Sequence, residues 1–319
     1  MKSLKKNIWI FGGTGFIGDA LVKKLSENEN NRLHLLLHKN RPFKSLEHTN
    51  TFTGSLQDFD PAWFLKYPPD VIFHLARPAG GNHLSRSYAA RSGLKANRKI
   101  IHILRDLYKP PVIVYVSGSL MFGTRDKETP AMEDSALAPV SFAASYFRLE
   151  SPWIEAGKNE ILDVRMARPG WIVGPSSWFV EFFWKPYLVS GKVPFYGDGN
   201  QQMSVIHLED CAGLIASLGN AEERYRSLNI FCGPIVTQNE FSAQMAGLLN
   251  TETTRIPFNK IVRKYGRTVS MALTSSIPMG TIYNEIYNHY SFKYPDLKSI
   301  LVNIIGILKN KQEILSKTP

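Results

Sequence analysis

The 319-residue sequence predicts an α/β protein built on a doubly wound parallel sheet, with a smaller and mostly C-terminal lobe. Three observations carry that expectation. An apolar run near the N-terminus passes through a glycine turn into an amphipathic helix. Further apolar runs then alternate with helical segments. No stretch approaches the ~20 consecutive apolar residues of a membrane span, so no transmembrane segment is expected.

The elements follow in order. "NIWIF" (7–11) reads as a buried parallel strand. It runs into "GGTGFIG" (12–18) and then "DALVKKLSEN" (19–28), where Ala20, Leu21 and Leu25 form an apolar helical stripe. Strand, glycine turn and helix are the context that a Rossmann-type nucleotide-binding loop requires. Gly12 permits the tight turn, Gly15 lets backbone approach a pyrophosphate, and Gly18 lets helix and strand pack closely. Thr14, Phe16 and Ile17 fill the same loop, whose helix end offers free N–H groups to phosphate. "RLHLLLH" (32–38) is the next strand. A NAD site ordinarily ends this strand with a carboxylate, whereas here His38, Lys39 and Arg41 follow. Such a cationic end suits the 2′-phosphate of NADP, the cofactor expected over NAD; a basic surface loop is the alternative. "DVIFHLA" (70–76), "PVIVYVSGS" (111–119) and "ILDVRMARPG" (161–170) read as further strands, with the helical "GLKANRKIIHILRDLY" (93–108) among them.

Several stretches, in the expected order, resemble the extended short-chain dehydrogenase/reductase superfamily, and its NAD-dependent epimerase/dehydratase-like members in particular. "GGTGFIG" matches their glycine loop. "FHLAR" (73–77) matches the cofactor-lining segment, with Arg77 where a second alanine is usual. "GSLQD" (54–58) is similar to the adenine-site sequence, with Ser55 in place of an aspartate; Asn97 matches a common helix asparagine. "VSGSLMFG" (116–123), "ARPGWIVGP" (167–175), "FYGDGNQQMSVIHLEDCAGLI" (195–215) and "FKYPDLKSIL" (292–301) extend the likeness to about residue 300. The resemblance implies a cofactor domain over 1–173, rejoined by 203–235, and a substrate lobe over 174–202 and 236–319. It also implies cofactor contacts from Ser55, Leu56, Leu75, Ala76, Arg77, Tyr146 and Pro169, and a homodimer, common in the family.

The catalytic positions depart from the resemblance. Its chemistry uses a Ser or Thr, a Tyr, and a Lys four residues after the Tyr, on the same helix face. Tyr146 matches, but Glu150 stands where the lysine belongs. Two unit charges about 4 Å apart interact by about 4 kcal/mol at an effective dielectric near 20. An anion replacing a cation is therefore expected to disfavour tyrosinate and compromise the usual proton transfer. Glu150 has three readings: an acceptor for ribose hydroxyls, a base, or a solvated helix residue. The catalytic hydroxyl falls at Gly118, counting back from Phe122-Gly123; Ser117 and Ser119 flank it, with Ser119 the preferred substitute.

Enzymes of this superfamily that act on nucleotide sugars carry an arginine just before the "I-H-V" segment, and Met203 occupies that place. Methionine cannot supply the bidentate fork that clamps a diphosphate. The expected substrate is a small carbonyl or hydroxyl compound other than a nucleotide sugar. The aromatic-rich 178–197 is either lobe core or the wall of an apolar pocket, and Arg77, Arg86 and Arg91 are either surface charge or holders of an anion. An aromatic or acyl substrate, anionic or carrier-bound, would use both. The readings are an NADP-using enzyme, a non-redox acid/base enzyme effecting cyclisation or elimination, or a protein that binds NADP without turnover. The net charge of +11 fits an anionic partner or a basic solvated surface. Nucleic acid is not expected, since no recognition motif occurs. Leu297, Ile300, Leu301, Ile304, Ile305 and Leu308 mark an apolar face on a late helix. Two cysteines, Cys211 and Cys232, with no framework spacing, fit buried thiols in a reducing compartment. No secretion signal is read at the N-terminus, so a cytoplasmic location is expected.

Overall fold

The computed structural model describes residues 5–38, 49–77, 83–222 and 225–317. In chain order its elements are β1 (Lys6–Phe11), α1 (Phe16–Ser26), β2 (Asn31–Leu37), β3 (Thr49–Thr53), α2 (Ala62–Lys66), β4 (Val71–His74), α3 (His83–Arg105), β5 (Val112–Val116), α4 (Ala144–Lys158) and β6 (Asp163–Pro169). There follow β7 (Trp171–Val173), α5 (Lys185–Ser190), β8 (Val193–Tyr196), β9 (Gln202–His207), α6 (Leu208–Asn220), β10 (Ser227–Ile230) and β11 (Cys232–Thr237). The last are α7 (Gln238–Leu249), β12 (Thr253–Ile256), α8 (Phe258–Tyr265), α9 (Arg267–Leu273), α10 (Asn284–His289) and α11 (Leu297–Lys317).

The chain divides into two compact units. The first comprises Met1–Gly118, Ala143–Arg168 and Ala212–Leu228; the second comprises Ser119–Phe142, Pro169–Cys211 and Asn229–Pro319. One cut falls at Arg168/Pro169, and the segment 119–142 belongs to the second unit. That segment is tied there by a bridge from Ala131 to Met279 and by Asn229 Nδ2, which donates to Ala131 O at 2.8 Å.

In the first unit, seven strands form one sheet in the order β10-β6-β5-β4-β1-β2-β3. The pairings β3-β2, β2-β1, β1-β4, β4-β5 and β5-β6 are all parallel, with Ile8 opposite both Leu33 and Val71. Strands covered on both faces are apolar throughout, which is why β1 and β5 show no alternation. Trp9 centres the core: its ring stacks on His34 at 4.9 Å, meets Phe64 edge-on at 5.0 Å, and its Nε1 donates to Tyr67 O at 2.9 Å. On α4, Pro152 has no N–H to give to Arg148 O, and Ser151 Oγ donates there instead at 3.3 Å. The end of α6 is capped by buried Arg165, whose Nη1 reaches Leu218 O at 2.6 Å and Ala221 O at 2.8 Å. A cation at a helix C-terminus meets the negative end of its dipole.

The second unit holds a three-stranded sheet, β11-β9-β7, and a parallel pair, β12-β8. Thr237 starts α7 through a reciprocal capping box with Glu240. The aromatic-rich 178–197 is mostly core: Phe179, Phe182, Phe183, Trp184 and Tyr196 are buried, and Phe183 meets Phe241 at 4.9 Å. Trp178 is half-buried between Phe142 and Phe182, at 5.2 and 5.3 Å. All six apolar residues expected on α11 are buried. The "IHLED" segment explains its link to "FKYPDL": Asp210 accepts from the backbone N–H groups of Lys293 and Tyr294 at 2.9 Å, and the His207 ring lies tilted against Tyr294, centroids 3.7 Å apart. Cys211 and Cys232 are free and buried. Among the described residues, no helix is long and apolar enough to cross a membrane.

Candidate active site

The turn between β1 and α1 is shaped by what its glycines lack. Gly12 has φ +88°, and a Cβ there would stand 2.7 Å from Ala76 N and 2.9 Å from Leu75 C. A Cβ on Gly18 would lie 2.2 Å from Gly12 O. The loop therefore presses against Leu75–Ala76 at the C-terminal end of β4, and no larger residue fits. Gly15 stands at the N-cap of α1, with no side chain covering the helix end. Thr14 and Ile17 are half-buried, and Phe16 is exposed. A cradle of bare backbone N–H groups at a helix start fits the pyrophosphate of a dinucleotide.

Around this cradle, His38 is exposed just past β2. Lys39 and Arg41 lie outside the described residues, as does the side chain of Arg86; Arg91 is exposed on α3. Ser55 Oγ donates to Asp58 at 2.8 Å, closing a local turn, and Leu56 packs on the core. Arg77 is exposed yet held: Nη2 donates to Val116 O at 2.9 Å, and its guanidinium carbon lies 5.5 Å from the centroid of the Tyr146 ring. That distance is a cation–π contact. Pro169 is buried at the end of β6 and opens a segment of the second unit.

Glu150 is 1% exposed, which excludes the solvated-helix reading. Arg168, 3% exposed on β6, approaches its Oε1 with both Nη1 and Nη2 at 3.1 Å. Ser117 Oγ donates to the other carboxylate oxygen of Glu150 and accepts from Arg168 Nη1 at 3.0 Å. The carboxylate at the lysine position is thus paired with a guanidinium from β6. In this arrangement the one proton of Ser117 is spent on Glu150. Ser119 is buried in the second unit, at the start of a short 3-10 turn.

Sequence reasoning brought Ser117, Tyr146 and Glu150 into view but missed Arg168. The only signal was a charged residue inside an apolar strand. It also missed the hold on α4 by Asn97, whose Nδ2 donates to Leu149 O at 2.8 Å while Oδ1 meets His74 Nε2 at 3.0 Å. Burial lowers the His74 imidazole to about 4, so it is neutral there.

With this geometry the comparison with known proteins agrees. Residues 8–230 match the model of the NAD dependent epimerase/dehydratase family, most of the chain. The chain belongs to that family. An epimerase family protein of Staphylococcus saprophyticus is 23% identical over 314 residues, covering 94% of this chain and 99% of its own. Among solved structures, the UDP-glucose 4-epimerase of Thermotoga maritima superposes with a TM-score of 0.78 at 17% identity, over 96% of this chain and 99% of that one. A human epimerase family protein, solved with NADPH, gives a TM-score of 0.74 at 19% identity, over 93% and 98%. The dTDP-glucose 4,6-dehydratase of Bacillus anthracis, solved with NAD, gives 0.74 at 17%, over 97% and 98%. This epimerase/dehydratase-family chain is therefore NAD(P)-binding, with an α/β fold on a Rossmann-like parallel sheet. Met203 is 1% exposed in β9.

Proposed function

We propose that this family member is an NADP(H)-dependent enzyme acting on a small carbonyl or hydroxyl compound that is not a nucleotide sugar. The observation that carries the reading is the glycine cradle beside Leu75–Ala76, with Arg77 of the same strand end holding Tyr146. Gly12, Gly15 and Gly18 and the start of α1 would hold the pyrophosphate, Ser55 and Leu56 the adenine side, and Leu75 and Ala76 the central portion. When bound, the nicotinamide supplies hydride exchange. Tyr146 is the proton-exchanging group of the proposal. The preference for NADP rests on the absence of a carboxylate at the end of β2 and on the basic His38, Lys39 and Arg41. Met203, a buried apolar residue, offers nothing to a diphosphate, which supports a substrate outside the nucleotide sugars.

A second reading is favoured by one observation. Glu150 takes the lysine position and is consumed by Arg168 and Ser117, which supports a cofactor-binding protein without turnover. The same pairing argues against Glu150 as the base of a cyclisation or elimination. Titration calorimetry with NADPH and NADH tests the proposal. NADPH is expected to bind at micromolar affinity and at least about tenfold more tightly than NADH, a gap of about 1.4 kcal/mol. Binding of neither would overturn it. Turnover of a carbonyl panel then separates enzyme from sensor.

A further inference from the structure

We propose that Arg77 is the specificity-determining residue of this site and binds the carboxylate of a small oxo or hydroxy acid; the inference deepens, and rests on, the reading above. Arg77 follows β4 at the C-terminal edge of the parallel sheet, where open α/β sheets bind their ligands. Its neighbour Ala76 is the residue whose backbone presses on Gly12. The position thus borders the cradle without belonging to it.

Two anchors fix the guanidinium. One N–H goes to Val116 O at the end of β5, and the guanidinium carbon lies over the Tyr146 ring on α4, 5.5 Å from its centroid. A guanidinium carries five N–H donors in a rigid fork. With one committed, four donors remain on an exposed residue, and a carboxylate accepts two parallel N–H bonds from such a fork. Among the described residues Arg77 has no carboxylate partner of its own, in contrast to Arg168 and Arg165, which have Glu150 and Asp163. A flexible residue already spent on an internal acid could not do this. Lysine would do so only in part, as a point charge without the fork.

The anion could come from the cofactor or from the substrate. Pyrophosphate already has its place at the start of α1, where backbone N–H groups converge. Arg77 instead contacts Tyr146, the proton-exchanging group of the proposal. A carboxylate held there sits a few atoms from the carbonyl or hydroxyl that Tyr146 would serve. The chemistry selects oxo and hydroxy acids over neutral ketones and alcohols.

The test compares wild type, Arg77→Met and Arg77→Lys by calorimetry, with phenylpyruvate against its neutral counterpart phenylacetone, and pyruvate against acetone. Each is measured with and without saturating NADP. Wild type is expected to prefer the acids by about tenfold or more. Arg77→Met should erase that preference, and Arg77→Lys should keep only part of it. Urea midpoints of both variants should match wild type, since Arg77 is exposed. A tenfold loss of NADPH affinity in Arg77→Met, with the acid preference intact or absent, would assign Arg77 to the cofactor and overturn the inference. No preference for either acid in wild type would overturn it too. If wild type binds no NADPH, the proposed function falls, and the measurements without cofactor still decide on Arg77.

Discussion

Glu150 on α4 and Arg168 on β6 form a closed ion pair in the core of the first unit, with both guanidinium Nη atoms 3.1 Å from one carboxylate oxygen. The other oxygen accepts the Ser117 hydroxyl, so helix and strands β5 and β6 meet through charged groups that water does not reach. Removing one partner strands the other charge. Glu150→Ala and Arg168→Met are each expected to cost about 3–5 kcal/mol, whereas the double change Glu150→Met with Arg168→Met should recover most of that loss. Urea unfolding at constant m-value reads all three. A near-additive double variant would show that the two residues are not coupled.

Gly18 should tolerate no side chain. The Cβ of alanine would meet Gly12 O at 2.2 Å, backbone against backbone, so either the turn or α1 must move. Gly18→Ala is expected to weaken NADPH binding by at least about tenfold, far more than the few tenths to 1 kcal/mol of an ordinary Gly→Ala change in a helix. Gly247, whose Cβ would touch nothing, provides the control: Gly247→Ala should leave binding unchanged.

Acid should destabilise the protein before its carboxylates titrate. His74 is lowered to about 4 by burial, opposed by the hydrogen bond its Nε2 gives to Asn97 Oδ1 and aided by the charge of Arg77; Phe11, Tyr115 and Trp153 supply the apolar walls. His34 is lowered to about 4 as well, by burial first and by Arg32 second. An unfolded histidine takes up its proton near pH 6.5. Between these values the unfolded chain holds more protons than the native one. Stability is therefore full above about 6.5 and falls as the pH drops toward 4, by at most about 1.4 kcal/mol per pH unit for His74. Urea midpoints at pH 7 and 5 measure the slope, and His74→Gln should flatten it.

How much of this the sequence disclosed depends on the range of the signal. β1, the glycine turn and α1 are contiguous, so period and turn chemistry reveal them together. The strands at 71–74, 112–116 and 163–169 are apolar runs for the same local reason, burial on both faces. Glu150 was legible as a departure from a motif but not in its consequence. The i, i+4 argument sees only its own helix, while its partner stands on a strand 18 positions away. Arg168 stood within the quoted 167–175 stretch without a reading of its own. Alternation gives no choice between Ser117 and Ser119 for a similar reason, because it is lost where β5 ends and a 3-10 turn begins at Ser119. The aromatics of 178–197 read equally well as pocket or core, and only tertiary packing separates Trp178 from its buried neighbours.

The anchoring of residues 293–294 by Asp210 has a bearing on how the chain is made. Domains fold as units while the ribosome delivers them from the N-terminus. The first unit has its last segment in hand at Leu228. Asp210 must wait: the amide of Tyr294 that it accepts from lies 84 residues further along. A nascent chain thus passes through an interval in which the first unit has everything it needs and the first turn of α6 still carries a carboxylate awaiting its donors.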